Sequence, residues 1–291
     1  MIIHATGRGC YGSGGQAERG EFYARYGIAS IIYDKAGTGK SEGDCAANTH
    51  ESRVSELDAM LQYAAGLKRV DTDRLGVAGY SAGGWTVQAI NSVAEVKPDF
   101  VITVVGPGTS VKAQQLDGAT AYAKVDGYGE AGLAEVLEYT ELLFTDKKPS
   151  KVYPRLMELL DSAKVHGWDS WLEDTDIPES IEKFNQLWVR RFAYDPAEDL
   201  AQLEVPFLGI FGGEDDVVPW QQSRNGLTRA FEKGGKSNYR IVLLPSAGHG
   251  MENGDRERSI PVHGYIDPSY YKFERVVSGA AEEIIDFVLG L

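Results

Sequence analysis

Ser81 lies in Gly79-Tyr80-Ser81-Ala82-Gly83-Gly84, a Gly-x-Ser-x-Gly pattern between an apolar run at Leu75 to Ala78 and a helical pattern from Trp85 to Val96. A serine on a tight strand-to-helix turn has strained dihedrals, and small residues two positions either side let neighbouring backbone pass close by. Its hydroxyl is then held above the sheet. The amide of the next residue, Ala82, sits at the helix N-terminus and points at any negative charge forming beside the serine. Residues of this type and spacing suit nucleophilic attack on a carbonyl carbon.

A nucleophilic serine needs a base, and the base needs an orienting partner. The run Val205 to Phe211 reads as a buried strand and leads into Gly212-Gly213-Glu214-Asp215-Asp216-Val217-Val218-Pro219. Ile241 to Leu244 reads as the next strand and leads into Pro245-Ser246-Ala247-Gly248-His249-Gly250. Acids thus follow one strand and a histidine the next, at the carboxyl ends where open parallel sheets hold their sites. Glu214, Asp215 and Asp216 compete for the acid. The chain has five histidines, and His263, in a Pro/Gly/Tyr-rich stretch, is the one rival to His249 as base.

The order Ser81, Asp215, His249, each in its own setting, resembles the α/β-hydrolase family, and the resemblance covers most of the chain. It includes Ile2-Ile3-His4 as the strand before an oxyanion loop, and Tyr33-Asp34-Lys35-Ala36-Gly37-Thr38-Gly39-Lys40-Ser41 after the next strand. Within the family, Gly-x-Ser-x-Gly-Gly looks most like the esterases and the prolyl-oligopeptidase-like hydrolases. The family's Gly-x-x-Asp-x-x-Val-Pro spacing, counted from Gly212 to Pro219, selects Asp215. The resemblance implies Ser81 as nucleophile, His249 as general base and Asp215 as its orienter. Ala82 would supply one oxyanion amide. The second donor is assigned by position to Thr6, with Ala5 and Gly7 as alternatives, because the usual His-Gly start of this loop reads His4-Ala5-Thr6-Gly7.

Two glycine-rich segments offer other chemistry. Gly37-Thr38-Gly39-Lys40-Ser41 looks like a phosphate-binding loop, but Asp34 stands where the full pattern needs glycine. Gly7-Arg8-Gly9-Cys10-Tyr11-Gly12 fits Gly-x-Gly-x-x-Gly, with Asp34 ending the following strand as a dinucleotide site would want. A Rossmann-type NAD(P) oxidoreductase is therefore the rival from another class. It leaves the settings of Ser81, Asp215 and His249 as coincidences.

The elements that must position these residues alternate between short β-branched runs and helical patterns, which implies a mainly parallel sheet with helices on both faces. Val54, Leu57, Leu61 and Ala64-Ala65 recur at helical spacing between Arg53 and Leu67, and a last helix is expected over Phe273 to Leu289. About a hundred residues separate the strand ending at Val105 from the one beginning at Val205. That interval is helical in composition over Leu133 to Leu143, Tyr153 to Ala163 and Pro178 to Phe192, and it resembles the cap the family inserts over its active site. The expected organisation is a hydrolase core of residues 1–106 and 200–291 with a helical cap of 107–199. Tyr139, Phe144, Trp168, Trp171, Phe184 and Trp188 are candidates to line the pocket.

The family's first two strands have no counterpart before Ile2, which would leave the strand Ala29 to Tyr33 as an exposed apolar edge. The expectation is either that residues upstream of Met1 are missing or that a second copy covers this edge near Ile31 as a homodimer.

At 291 residues and 43% hydrophobic content, the chain can bury a substantial core. A formal net charge of −14 argues against nucleic acid as partner, since binding there depends on cations that neutralise phosphates. No apolar stretch approaches a membrane span, and no secretory signal opens the chain, so a soluble, cytoplasmic protein is expected. Cys10 and Cys45 make neither a disulfide framework nor a metal site and are read as two unpaired thiols. No metal or organic cofactor is called for. The substrate expected is a small or medium carboxylic ester, with a short peptide or amide as runner-up. A carbon–carbon bond hydrolase and a catalytically silent binding module of the same fold are the further alternatives.

Overall fold

The computed structural model describes residues 1–13, 17–173, 176–251 and 279–291. The described sheet holds six strands, all parallel: β1 (Ile2–Ala5), β2 (Ser30–Ile32), β3 (Gly76–Tyr80), β4 (Phe100–Val104), β5 (Phe207–Gly212) and β6 (Tyr239–Leu244). Their order is β2-β1-β3-β4-β5-β6. Side chains alternate across a pleated strand, so one apolar run feeds two layers. In β4, Val101 points to the layer of Val54, Leu57, Leu61, Val87, Leu227 and Phe231. Its neighbours Phe100 and Ile102 point to the opposite layer, with Tyr23, Ile284 and Val288.

The first layer is filled by α2 (His50–Ala65), α3 (Gly83–Val93) and, after the cap, α8 (Ala197–Gln202) and α9 (Trp220–Lys233). The second is filled by α1 (Ala17–Ala24) and α10 (Ala280–Leu289). The start of α2 is fixed by Thr49, whose side chain accepts the Ser52 amide while Ser52 reaches back to the Thr49 amide. The final helix begins at Ala280; the earlier part of the segment expected to be helical, and the rival His263, lie outside the described residues.

Between β4 and β5 the chain forms α4 (Val111–Asp126), α5 (Gly129–Leu143), α6 (Pro149–His166) and a short α7 (Trp188–Arg191). These helices share a core of their own, with Tyr139, Leu156, Trp168, Phe184 and Trp188 packed around Trp85 of α3. The single helix expected over Pro178 to Phe192 does not form. A 3-10 turn (Phe184–Gln186) is cut from α7 by Leu187, which is extended at ψ 143°. Phe184, Leu187, Trp188 and Phe192 keep the i, i+3, i+4, i+8 spacing of one helical face, and with the break Val189 is buried as well.

β2 ends the sheet and pairs only with β1 among the described residues. Ser30, Ile31 and Ile32 are half-buried there.

Candidate functional site

The carboxyl ends of four strands converge at one end of the sheet and bring Thr6, Ser81, Asp215 and His249 to a single cleft. Ser81 follows β3 directly and holds φ +52°, the left-handed region that a residue with a Cβ rarely adopts. Its amide donates to the Val104 carbonyl of β4 at 3.1 Å, which fixes the turn to the sheet. The flanking glycines are there for space. A Cβ on Gly79 would lie 2.2 Å from the Gly83 carbonyl oxygen, and one on Gly83 would lie 2.4 Å from the Ala5 carbonyl oxygen. α3 can therefore start directly behind the serine, and the Ala82 amide stands at its N-terminus.

The loops after β5 and β6 are locked to each other. Gly213 donates its amide to the Leu244 carbonyl, and Glu214 donates to the Ala247 carbonyl, each at 2.9 Å. A Cβ on Gly213 would strike the Pro245 carbonyl oxygen at 2.1 Å, so only glycine allows this approach. The interlock sets Asp215 against His249. Nδ1 of His249 lies 3.0 and 2.9 Å from the two Asp215 carboxylate oxygens, and Nε2 lies 3.0 Å from Ser81 Oγ. With Nδ1–H donating to the carboxylate, Nε2 carries a lone pair aimed at the serine hydroxyl. Asp215 Oδ1 also accepts the amides of Val217 and Val218 at 3.0 and 2.8 Å. Of the competing acids, Glu214 is exposed and Asp216 half-exposed, whereas the Asp215 side chain is only 1% accessible.

On the opposite side of Ser81 runs the loop after β1. The Cα of Gly7 faces the serine so closely that a Cβ there would be 3.1 Å from Ser81 Cβ. Thr6, Gly7 and Ala82 all line the cleft. Ala5 does not. It is the last residue of β1, fully buried and in register with Gly79.

Sequence reasoning did not foresee how this loop is held. Lys35 donates its ammonium to the carbonyl oxygens of Gly7, at 3.0 Å, and of Gly9. The Arg53 guanidinium approaches Thr6 Oγ1 at 3.5 Å. Cys10 and Cys45 form a disulfide with Cα atoms 5.8 Å apart, which corrects the expectation of two unpaired thiols. Loops after β1 and β2, sequence-distant but adjacent in the sheet, bring the two sulfurs together. Arg8 of the same loop crosses to the cap, where it meets Asp176 at 2.6 Å and Glu173 at 3.2 Å and lies over the Trp188 ring.

Asp34, the acid that a dinucleotide site would require, is engaged by the protein's own backbone. Its carboxylate accepts the amides of Ser13 at 2.6 Å and Lys40 at 2.9 Å, so it ties the two glycine-rich loops together. Gly37 and Gly39 take positive φ in a turn that is followed by a 3-10 helix at Cys45–Ala47, so no helix dipole faces that loop.

The other described histidines have structural settings. His4 is buried between Tyr23 and Tyr80, and its ring nitrogens lie 3.3 Å from Tyr80 Oη and 3.1 Å from Ser30 Oγ. Burial, aided by the nearby Arg19 charge, pushes its pKa down to about 3. His50 stacks on Tyr194, and burial lowers its pKa as well. His166 sits on the cap beside Glu135.

Ser81 and His249 open into a cavity of about 600 Å³ walled by Trp85, Tyr122, Trp171, Trp188, Val217 and Val218. Of the cap aromatics anticipated as lining, Trp171 and Trp188 are there. Tyr139, Trp168 and Phe184 are wholly buried in the cap core, and Phe144 packs against it. Trp85 and Tyr122 complete the wall. Among the described residues, no group of three or more His, Cys, Asp or Glu could hold a metal ion, and no helix is long and apolar enough to cross a membrane.

Comparisons with known proteins agree with this architecture. The sequence matches the alpha/beta hydrolase family over residues 2–258. No curated protein sequence matches the chain. Among solved structures, a monoacylglycerol lipase of Paleococcus ferrophilus is similar at a TM-score of 0.53 and 18% identity, covering 99% of this chain and 93% of its own. Est1E of Butyrivibrio proteoclasticus, solved with ferulic acid bound, is similar at 0.54 and 16% identity, with 99% and 85% covered. The esterase PF2001 of Pyrococcus furiosus is similar at 0.53 and 15% identity, with 85% and 73% covered. At these identities the likeness speaks for the fold. With six parallel strands between two helical layers, a serine turn after β3 and a sequence match across most of its length, the chain belongs to the alpha/beta hydrolase family.

Proposed function

We propose that the protein is a serine hydrolase that cleaves a small or medium carboxylic ester through an acyl-enzyme intermediate. The observation that carries this reading is the hydrogen-bonded relay from Ser81 Oγ to His249 and on to the buried Asp215. His249 would take the Ser81 proton as Oγ attacks the carbonyl carbon, and would return it to the leaving alcohol. Asp215 would hold the tautomer and stabilise the imidazolium. Its own bonds to the Val217 and Val218 amides keep the carboxylate fixed while it does so. The amides of Ala82 and of the Thr6-Gly7 segment would receive the oxyanion, each donor contributing about 3–4 kcal/mol of transition-state stabilisation. Water, activated by the same histidine, would then release the acid.

The tryptophan-walled cavity favours an ester with an apolar or aromatic portion that fits within about 600 Å³. A fluorophosphonate probe tests the reading without knowledge of the substrate, because it reacts only with an activated serine. An adduct on Ser81 is expected by mass spectrometry, absent in Ser81→Ala and slowed roughly 10⁴-fold in Asp215→Asn. A folded protein that takes no label would overturn the reading.

Two lesser proposals accompany it. The half-buried edge at β2 would pair with a second copy, and sedimentation equilibrium showing a monomer that Ile31→Lys does not alter would remove it. Cytoplasmic residence is tested by the disulfide, since a reducing compartment keeps thiols free. Alkylation of Cys10 and Cys45 in protein quenched directly from cells would support the cytoplasm, and a protected pair, paired as in the structure, would place the chain in an oxidising compartment.

A further inference from the structure

Beside the tryptophan-walled cavity lies a second chamber of about 330 Å³. The two share Thr6, Gly7, Arg8, Ala82 and Trp188 as common wall, so a ligand bound at Ser81 can extend into both. Their chemistry differs. In a chain of formal net charge −14, the smaller chamber is lined by Arg8, Lys35, Arg53, Lys183 and Arg191, against the single carboxylate of Glu179.

Three of these cations are neutralised by neighbours. Arg8 pairs with Asp176 and Glu173, Arg53 with Glu56 at 2.9 Å, and Lys183 with Glu179. Lys35 and Arg191 have no ion pair among the described residues. Lys35 is 3% exposed, and its ammonium is met by the carbonyl oxygens of Gly7 and Gly9. Burial brings its pKa down to about 8, with the Arg53 charge pushing the same way and Glu56 opposing. Nε of Arg191 is buried and has no hydrogen-bond partner. Burial lowers the Arg191 pKa too, opposed by the charge of Asp44. Withdrawing cations from water without a counter-charge is unfavourable, which an arriving anion offsets. Packing alone gives no reason to bring two such groups into one chamber wall.

We infer that the chamber is an anion subsite: the substrate carries a carboxylate or phosphate held by Lys35 and Arg191, with its apolar part against Trp85 and Trp171. The inference rests on the hydrolase reading and narrows it to an anionic ester. The chamber meets the ester site at the segment that carries the oxyanion donors, so the anion sits a short chain length from the bond Ser81 attacks. Its charge is neutralised on arrival and does not oppose the oxyanion that forms next to it.

Matched pairs of esters test this. In one pair, mono-4-nitrophenyl glutarate is set against its methyl ester. In the second, 4-nitrophenyl 3-phosphonopropanoate is set against its dimethyl phosphonate ester. In the third, 4-acetoxybenzoate is set against methyl 4-acetoxybenzoate, which moves the charge to the alcohol side. At least one charged member is expected to exceed its neutral mate in kcat/KM by roughly tenfold or more. Whether the glutarate or the phosphonate shows the larger ratio tells carboxylate from phosphate. Arg191→Gln should abolish that preference by lowering kcat/KM of the charged ester towards that of its neutral mate, and Arg191→Lys should restore part of it. Lys35→Gln should lower the preference as well, on top of a general loss from the loosened loop. Neutral esters equal or preferred in all three pairs would overturn the inference, as would a preference unchanged in both Arg191→Gln and Lys35→Gln. Fluorophosphonate labelling of Ser81 in the same preparations separates the two levels. If Ser81 labels and the charged esters are not preferred, only the subsite falls; if Ser81 does not label, the hydrolase reading falls first.

Discussion

Ser81 keeps a φ of +52° that its Cβ makes unfavourable, so the site stores backbone strain where the chemistry would occur. Glycine carries no such penalty. Ser81→Gly should therefore raise the unfolding free energy by about 1 kcal/mol while abolishing fluorophosphonate labelling, and paired denaturation and labelling assays would show the trade directly. Ser81→Ala, which keeps the Cβ, should show no comparable gain. The serine turn was legible because it needs small residues at fixed offsets, and Gly79 and Gly83 advertise that need. Asp215 was legible only through spacing, since its burial and its two backbone amide partners depend on how the loop closes. Val105 could not be foreseen. It holds φ +48° although it is β-branched, because its amide is drawn to the Ile210 carbonyl at 2.8 Å as the chain leaves β4. Lys35 and Arg191 were equally silent, since a lysine after a strand and an arginine on a helix carry no mark of losing their counter-ions.

Elements were read most reliably where burial leaves a regular pattern, one face of a helix or both faces of a short β-branched strand. α2 shows its buried residues at the spacing that the sequence repeats, and each strand was placed to within a few residues. The segment 178–192 was misjudged because its buried residues Phe184, Leu187, Trp188 and Phe192 keep helical spacing, and periodicity gives no sign of the extended Leu187 that divides them. The disulfide was missed because it joins loops whose adjacency exists only once β1 and β2 have paired. It closes a loop with a sequence separation of 35, a constraint that contributes about 2–4 kcal/mol. Thermal melts with and without dithiothreitol should differ accordingly. Reduction should also slow Ser81 labelling, since Cys10 belongs to the loop that carries Thr6 and Gly7. Cys10→Ala combined with Cys45→Ala should reproduce the reduced behaviour and no longer respond to the reductant.

At the scale of the whole molecule, both layers of the core close on the sheet with a neutral histidine enclosed in one of them. The pKa of His4 is about 3 in the folded protein, against 6.5 when exposed. The unfolded chain therefore binds the extra proton first. Stability is complete above about pH 6.5 and falls as pH drops toward 3, by roughly 3 kcal/mol at pH 4 from this residue. His50 adds to the same slope. Chemical denaturation across this range should show the loss, and His4→Phe should flatten the acid limb whatever it does to stability at neutral pH.

The bridge from Arg8 to Asp176 and Glu173 has a consequence for timing. Arg8 directly follows Gly7, so under the proposed reaction one short stretch of backbone would answer both to the reacting carbonyl and to the roof above it. Any movement that lifts the roof to admit an ester also draws on that stretch and takes its amides out of register. The open form would thus be chemically idle, and readiness would return only when the roof settles over a bound molecule.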